Sequence, residues 1–484
     1  MPNAAEGAAP RVPSYHDACD PATYDDALAA KASSLATRFA PLLARDDDDD
    51  DAVMPEVFAS PRSHFRSRCR FQVARAEGAD GALSYRMWDG GKPSVIVSTF
   101  PMALRRVNEV MRLLLGALQE GLDAAAAGGG GGAGRDDVLT TGLEAAHFLA
   151  ARSARGGVLV TLVYSSPIDA ARWVPAATAL RTRLASALER SSPAAADEED
   201  ESPPPLHLLS EDESARLRVN VLGRSKGVAL SARVVPVPGA AGDASPSPSR
   251  PGETYVVETL RLDDGDAFAY KNAEGAFSNP NAWMAEHTLT WLRSCARAIA
   301  AERGGAGASL LELYCGCGNH TVALAGMFTR VVAVEISEEL CDAARDNLRR
   351  NGIEEGVSIV HAPSASVSRE LLRGGGGGLG LGLDAFDVVL VDPPRAGLDA
   401  DTLALVKRFE YVLYISCDPA SLARDAMGGE EGNGNGKGGG TLRLSDTHDV
   451  VKFAVFDHFP YTRHAEVGAC FARRRPDGRS RRSL

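Results

Sequence analysis

Cys417 stands in a setting that suggests chemistry, although it is only one of eight cysteines in the chain. It follows the apolar run Tyr414-Ile415-Ser416 and precedes Asp418-Pro419, where a buried strand should give way to a helix. A thiol on that loop lies ahead of a helix N-terminus, whose dipole favours the attacking thiolate. Further on, Glu466 opens another apolar run in Arg463-His464-Ala465-Glu466-Val467-Gly468 and offers a carboxylate base. A thiolate and a base together suit covalent catalysis on an electron-poor ring. Addition to C6 of a uracil would give C5 carbanion character, so that C5 can displace a methyl group from a sulfonium. A base must then take the C5 proton so that the thiol can leave. A cation or donor near O4 would complete the set.

A methyl donor needs a pocket. The run Glu312-Leu313-Tyr314-Cys315-Gly316-Cys317-Gly318-Asn319 reads as a strand, a glycine turn and the start of a helix. Gly316 lets the backbone approach a ligand closely, and Glu335 closes the next strand, placed to bind two ribose hydroxyls. A dinucleotide fingerprint needs another glycine where Thr321 stands. The turn therefore suits S-adenosyl-L-methionine, which has no pyrophosphate. In Asp392-Pro393-Pro394-Arg395 the two prolines stop the ladder and leave a carboxylate at the pocket mouth. Cys315 and Cys317 have no second pair nearby and read as thiols, so no metal is expected.

These residues need a frame of strand ends. From residue 310 onward, apolar strands at 310–314, 331–335, 357–361, 387–392, 412–416, 453–456 and 467–472 alternate with helices at 319–328, 338–351, 402–408 and 419–427. That rhythm predicts a doubly wound, Rossmann-like α/β sheet with ligands at the strands' carboxyl ends. The earlier half reads as an α+β domain with an antiparallel sheet, its strands at 69–74, 94–97, 158–164 and 217–222 and its helices at 102–119 and 170–189. A further helix is expected over 282–302. The expected divisions are an N-terminal helix and acidic segment at 1–54, the α+β domain at 55–275, the α/β domain at 276–475 and a basic tail at 476–484.

Composition excludes several classes. At 484 residues and 44% hydrophobic content, no run approaches a membrane span. Glu6, Arg11, Asp17 and Asp20 interrupt the first residues without an apolar block, which argues against a secretory leader. Scattered cysteines read as reduced intracellular thiols. The net charge of −12 looks wrong for a nucleic-acid enzyme, but the acidic runs at 46–51 and 197–201 account for nearly all of it. Both read as solvated loop insertions, as do the Gly-, Ser- and Pro-rich stretches at 128–132, 191–205, 236–252, 374–382 and 428–440.

Taken together, these residues resemble the bacterial-type tRNA uracil-C5 methyltransferases, which make 5-methyluridine in the T-loop. The markers, in the family's order, are Pro55-Glu56-Val57-Phe58, Ser63-His64-Phe65-Arg66, Ser278-Asn279-Pro280-Asn281, Leu311 to Gly316, Val391 to Leu398, Tyr414 to Cys417 and Phe459-Pro460-Tyr461-Thr462. The resemblance covers the chain from about Tyr24, apart from the insertions. It implies Cys417 as nucleophile and Glu466 as proton acceptor. It also implies S-adenosylmethionine contacts at Tyr314, Asn319, Glu335 and Asp392, with another at Asn279, where the family usually carries glutamine. Asp418 stands where the family tends to have asparagine, and an ionised carboxylate there would raise the Cys417 thiol.

Related rRNA uracil enzymes often carry a four-cysteine cluster motif and a small N-terminal barrel, and neither pattern occurs here. Cytosine enzymes usually place a second cysteine on the fourth-strand loop, which here reads Asp392-Pro393-Pro394-Arg395. A non-catalytic tRNA-binding folding factor would not need Cys417 and Glu466. The resemblance therefore points to the tRNA T-arm as partner, for a cytoplasmic monomer independent of membranes. RNA contacts are expected from the α+β domain. Arg66, Arg68 and Arg70 alternate onto one sheet face, Arg224 and Lys226 add charge, and Phe100 offers a stacking platform, with Phe459, Tyr461 and His458 as further aromatics.

Overall fold

The computed structural model describes residues 19–44, 52–75, 81–87, 95–127, 137–153, 156–190, 218–225, 228–231, 254–276, 278–376, 378–428 and 442–475. Helix α1 (Tyr24–Leu43) and strand β1 (Glu56–Phe58) come first. α1 buries Leu35, Phe39 and Leu43 against the C-terminal sheet, and β1 pairs in parallel with β16 (His448–Phe456) of that sheet. The N-terminal segment thus belongs to the C-terminal domain, a correction to the division expected at residue 55. Each of these apolar faces lacks a core of its own and finds one there.

A second sheet follows, built from β2 (Arg68–Arg75), β3 (Leu83–Met87), β4 (Val95–Val97), β5 (Leu143–Ala150), β6 (Val158–Tyr164), β7 (Asn220–Ser225) and β8 (Val228–Ser231), in the order β4-β3-β2-β5-β6-β7-β8. Helices α2 (Arg105–Ala127) and α3 (Ala170–Arg190) cover one face. Residues Val107, Val110, Met111, Leu114 and Leu118 recur at helical spacing along α2 and are buried. On β2, Cys69, Phe71 and Val73 point into this core while Arg70 and Gln72 point away, as the period of two requires. The sheet is not wholly antiparallel as expected: β6 and β7 pair in parallel, because α3 carries the chain back across as a crossover.

The hairpin of β9 (Tyr255–Arg261) and β10 (Ala267–Ala273) packs Leu260, Leu262 and Tyr270 with Ala282, Ala285 and Leu289 of α4 (Ala282–Glu302). It too joins the C-terminal domain, earlier than the expected boundary at 276.

That domain continues with β11 (Ser309–Leu313), α5 (Asn319–Leu324), β12 (Arg330–Glu335), α6 (Glu338–Arg350), β13 (Val357–His361), α7 (Ser364–Leu372), β14 (Val388–Val391), α8 (Ala400–Val406), β15 (Tyr411–Ser416), α9 (Pro419–Met427), β16 and β17 (Glu466–Arg473). The strand order is β1-β16-β17-β15-β14-β11-β12-β13, with β17 antiparallel to both of its neighbours and the remaining pairs parallel. Alternate residues feed two cores, Leu311, Val389 and Tyr414 on one face and Leu310, Leu390 and Ile415 on the other. Each such side chain contributes about 1.5–3 kcal/mol when removed from water. Strand order reverses between β11 and β14, and the crevice opens there, at the carboxyl ends. Among the described residues, no helix is long and apolar enough to cross a membrane.

Candidate active site

The turn after β11 holds three residues in left-handed backbone, Tyr314 (φ 64°), Gly316 (56°) and Gly318 (78°). For a tyrosine this conformation is costly and persists only where the surroundings impose it. At Gly318 an added Cβ would lie 3.1 Å from the Ala344 methyl, so the turn packs closely on α6. At Gly316 a Cβ would meet nothing within 4 Å, so here the backbone borders open space. Asn347 Nδ2 donates to the Cys317 carbonyl at 2.9 Å and steadies the turn from behind. Glu335 is anchored by two backbone donors, Gly316 N–H to Oε2 at 3.0 Å and Ser337 N–H to Oε1 at 2.9 Å. Asn319 opens α5 directly after the turn, with its carbonyl accepting from the Tyr270 hydroxyl at 2.9 Å. Tyr314, Gly316, Asn319 and Glu335 therefore share one wall.

Three more carboxyls border the same space. Glu312 is 1% exposed; its Oε2 accepts from Thr321 Oγ1 at 2.7 Å, while its Oε1 has no hydrogen-bond partner. Burial pushes the Glu312 carboxyl up to about 8. Asp392, just past β14, is also raised well above the usual carboxylate range, by burial first and then by Glu466 and Glu312. His320 Nδ1 lies 3.8 Å from Glu312 Oε1. An acid-rich lining and an open backbone at Gly316 call for a ligand with positive charge and hydroxyls. S-adenosylmethionine, with its sulfonium, ammonium and ribose, meets each demand, and the residues fit it.

Cys417 follows β15 and is half-buried. Burial pushes its thiol up, Glu466 and Asp392 push further, and Arg395 opposes them by charge and by a hydrogen bond. Asp418, expected to raise the thiol, instead caps α9: its Oδ1 accepts the Ala420 N–H at 3.1 Å. The carboxylates that act on Cys417 come from the two strands flanking β15, Asp392 after β14 and Glu466 at the start of β17. The loop carrying Arg395 is fixed by Asp425 Oδ2, which accepts from Leu398 N–H and from Tyr414 Oη, both at 2.8 Å. Gly397 (φ 77°) sits where a Cβ would fall 2.7 Å from that oxygen, so only glycine closes the loop.

Glu466 opens β17 with its side chain 16% exposed. Burial would raise its carboxyl, but the His458 charge and hydrogen bond, with His320 behind them, hold it below the usual value. Of the three carboxyls near the thiol, Glu466 is thus the one kept ionised. Asn279 enters from the loop before α4. Its Oδ1 accepts from His458 Nδ1 and from Asn281 N–H, each at 3.0 Å, which leaves its Nδ2 for a ligand.

The expected RNA residues behave differently. Phe100 is 4% exposed and sits edge-on to Phe71 at 5.4 Å, so it is part of the core and presents no stacking face. His458, 1% exposed, is likewise no platform. Arg68 donates to the Ala276 carbonyl at 2.6 Å and to Ser278 Oγ at 2.8 Å, tying β2 to the segment that leads into α4. Arg66 Nε donates to the Arg68 carbonyl at 2.9 Å, and Arg224 pairs with Glu274. Arg70 is exposed. Lys226 and the basic tail lie outside the described residues.

Sequence reasoning gave Glu312, His320 and Arg395 no role of their own in this site, and took His458 only as a further aromatic for RNA contact. Arg395 had a signal, since it completes the Asp392-Pro393-Pro394 loop. His458 had none, because its relation to Glu466 exists only once β16 and β17 are paired. Among the described residues no group of three His, Cys, Asp or Glu side chains could hold a metal ion.

A doubly wound sheet with this strand order, a glycine turn at its switch point and an acidic crevice defines an S-adenosylmethionine-dependent methyltransferase. Comparison with known proteins narrows the class. The family profile described as tRNA (Uracil-5-)-methyltransferase matches residues 23–190 and 251–474. The tRNA/tmRNA (uracil-C(5))-methyltransferase of Ectopseudomonas mendocina (strain ymp) is 33% identical over 94% of this chain and 98% of its own length. That of Pseudomonas entomophila (strain L48) is 34% identical over 94% and 99%. The crystal structure of Pyrococcus abyssi tRNA (uracil-54, C5)-methyltransferase in complex with S-adenosyl-L-homocysteine shares the fold, with a TM-score of 0.54 at 18% identity over 93% of this chain and 83% of that one. The chain belongs to the tRNA (uracil-5-)-methyltransferase family.

Proposed function

We propose that the enzyme methylates C5 of a T-loop uridine in tRNA through a covalent Cys417–C6 adduct, with Glu466 removing the C5 proton. The observation that carries this reading is the meeting of Cys417, Asp392 and Glu466 at one set of strand ends, where both carboxyls act on the thiol and Glu466 acts on Asp392. The names of the relatives support the substrate.

Tyr314, Gly316, Asn319, Glu335 and Asp392 would hold S-adenosylmethionine, with Asn279 Nδ2 within the same crevice. When bound, it supplies an electrophilic methyl group. The protein's own part begins with Cys417 Sγ bonding to C6, which moves the C5=C6 electron pair toward C5 and O4. Arg395, already bonded to the thiol, favours the thiolate and offers positive charge beside the ring. Once C5 carries the methyl group, Glu466 takes the C5 proton. The C–H electron pair re-forms C5=C6, and the C6–S pair returns to Cys417. On this reading the enzyme works in the cytoplasm, as a monomer, on the T-arm, with the seven-stranded domain against the RNA. Arg66, Arg68 and Arg224 then border the RNA face, their intramolecular bonds holding its shape.

Unmodified tRNA incubated with methyl-labelled S-adenosylmethionine should yield labelled 5-methyluridine in the T-loop. Label confined to rRNA, or found on cytosine, would overturn the assignment.

A further inference from the structure

His458 lies at the end of β16, its side chain wholly buried, with Nε2 3.4 Å from Glu466 Oε1. Hydrogen bonding around the ring determines where its protons are. Nδ1 faces Asn279 Oδ1 at 3.0 Å, and that oxygen is identified as the carbonyl because it also accepts the Asn281 N–H at 3.0 Å. Nε2 faces Thr288 Oγ1 at 3.3 Å. Thr288 Oγ1 also lies 2.9 Å from the Met284 carbonyl, and its one proton can serve either that carbonyl or the ring. The deciding group at Nε2 is the Glu466 carboxylate, which only accepts. Each ring nitrogen thus faces an oxygen that can only accept, and a neutral imidazole has only one N–H to offer.

We infer that His458 is held as an imidazolium and acts as the positioning residue for Glu466, fixing one carboxylate oxygen and keeping the base ionised in an acidic, buried crevice. This rests on the reading of Glu466 as the base. The groups facing His458 are Glu466 on β17, His320 on α5, His287 on α4 and the amide of Asn279, with Asp392 and Glu312 beyond them. Glu466 lies below its usual range because of this neighbour, whereas Asp392 and Glu312, which lack it, lie above theirs.

The loop itself is clamped from outside. Lys31 of α1 donates to Asp457 Oδ1 at 2.5 Å, to the Phe459 carbonyl at 3.1 Å and to the His464 carbonyl at 2.8 Å, and Tyr24 Oη reaches Asp457 Oδ2 at 3.0 Å. Imidazole and carboxylate are therefore presented on a fixed frame. In turnover the C5 proton passes to the free oxygen of Glu466 and then to solvent at the exposed edge of that side chain. The imidazolium keeps both of its protons throughout, which makes the neutral acid a ready donor to water and returns the base to its charged form.

The test uses the full-length enzyme with His458→Gln, which keeps a donor but removes the charge. The acid limb of the kcat–pH profile should move up by about one unit. Release of the methylated RNA adduct near pH 6.5 should slow on the order of tenfold and recover at higher pH, while the single-turnover rate of methyl transfer stays the same. An unshifted limb with normal release overturns the proposal. Adduct trapping in Glu466→Gln is measured alongside. If that variant turns over without accumulating adduct, the base reading fails, whatever His458 does. Should His458→Gln not fold, nitrogen-15 shifts of the His458 ring in the wild-type enzyme decide: two protonated nitrogens near neutral pH support the inference, and a single one overturns it.

Discussion

The crevice at the strand ends and the open face of the seven-stranded sheet both carry charged residues, but they spend that charge differently. In the crevice, Glu312 has a buried oxygen that accepts no hydrogen bond, Asp392 is pushed up by burial and by two other acids, and Cys417 is held as a thiol. These groups are left in tension, which a ligand with positive charge relieves. On the sheet, Arg66, Arg68 and Arg224 already have internal partners, a carbonyl, a carbonyl and hydroxyl, and a carboxylate. Even so the face is basic: His147, opposite Arg70 on β5, is pushed down to about 4 by burial and by the charges of Arg70 and Arg224. One region is built for chemistry and left unsatisfied. The other is satisfied, and its positive field is what a phosphate backbone would meet.

The largest effect expected from this contrast is at Cys417. Cys417→Ala should lower methyl transfer by roughly 10⁴-fold or more, since in the proposed mechanism this thiol supplies the bond to C6. It should also abolish any denaturant-stable RNA adduct on gels. Retention of the adduct would move the nucleophile elsewhere.

What the sequence made legible follows the same contrast. Strand ends, glycine turns and helix caps are local, so Gly316, Glu335, Asp392 and Cys417 could be placed by reading along the chain. Their mutual effects could not be read that way. The pressure on Cys417 comes from Glu466 and Asp392 on other strands, whereas the adjacent Asp418 turns away to cap α9. The alternation of Arg66, Arg68 and Arg70 correctly gave a sheet face but not their partners, because Ala276 and Ser278 are far off in sequence. Phe100 was misjudged because an aromatic residue in a loop reads alike whether it is a platform or a plug. Its burial against Phe71 depends on the sheet being closed. The domain boundary shifted for a related reason: α1 and β1 are amphipathic pieces whose partner core is formed by residues beyond 310.

Arg68 provides the next largest effect, and it separates fold from binding. Arg68→Ala removes charge-assisted bonds to Ala276 and Ser278 that join β2 to the segment leading into α4. It should cost about 1.5–3 kcal/mol of stability, read as a lowered midpoint in thermal or urea unfolding. An unchanged midpoint would return Arg68 to the role of free phosphate contact.

Glu466→Gln, which removes the carboxylate kept ionised, tests the tension in the crevice. The Cys417 thiol is raised above its ordinary value, so at neutral pH little thiolate is present and reactivity climbs as pH rises. Removing one of the carboxyls that raise it should shift the alkylation profile with iodoacetamide to lower pH, on the order of threefold faster at pH 7.5. Arg395→Gln should move the same profile the opposite way. If both variants leave the profile in place, the thiol is governed by burial alone.

Arg70 supplies the smallest effect and the sharpest contrast with Arg68, two positions away on the same strand. Arg70 is exposed, whereas Arg68 holds two hydrogen bonds to the segment leading into α4. A residue that meets only a phosphate should contribute one counterion's worth of salt dependence. Arg70→Ala should therefore weaken tRNA binding by a few-fold at moderate salt and reduce the log–log salt slope by about one, leaving the unfolding midpoint unchanged. His147 should respond as well, since one of the charges pushing it down is gone. Its titration, followed by proton NMR, should move back up toward the ordinary histidine range. A salt slope that does not change, together with an upward move of His147, would mean that Arg70 shapes the field of this face without touching the RNA.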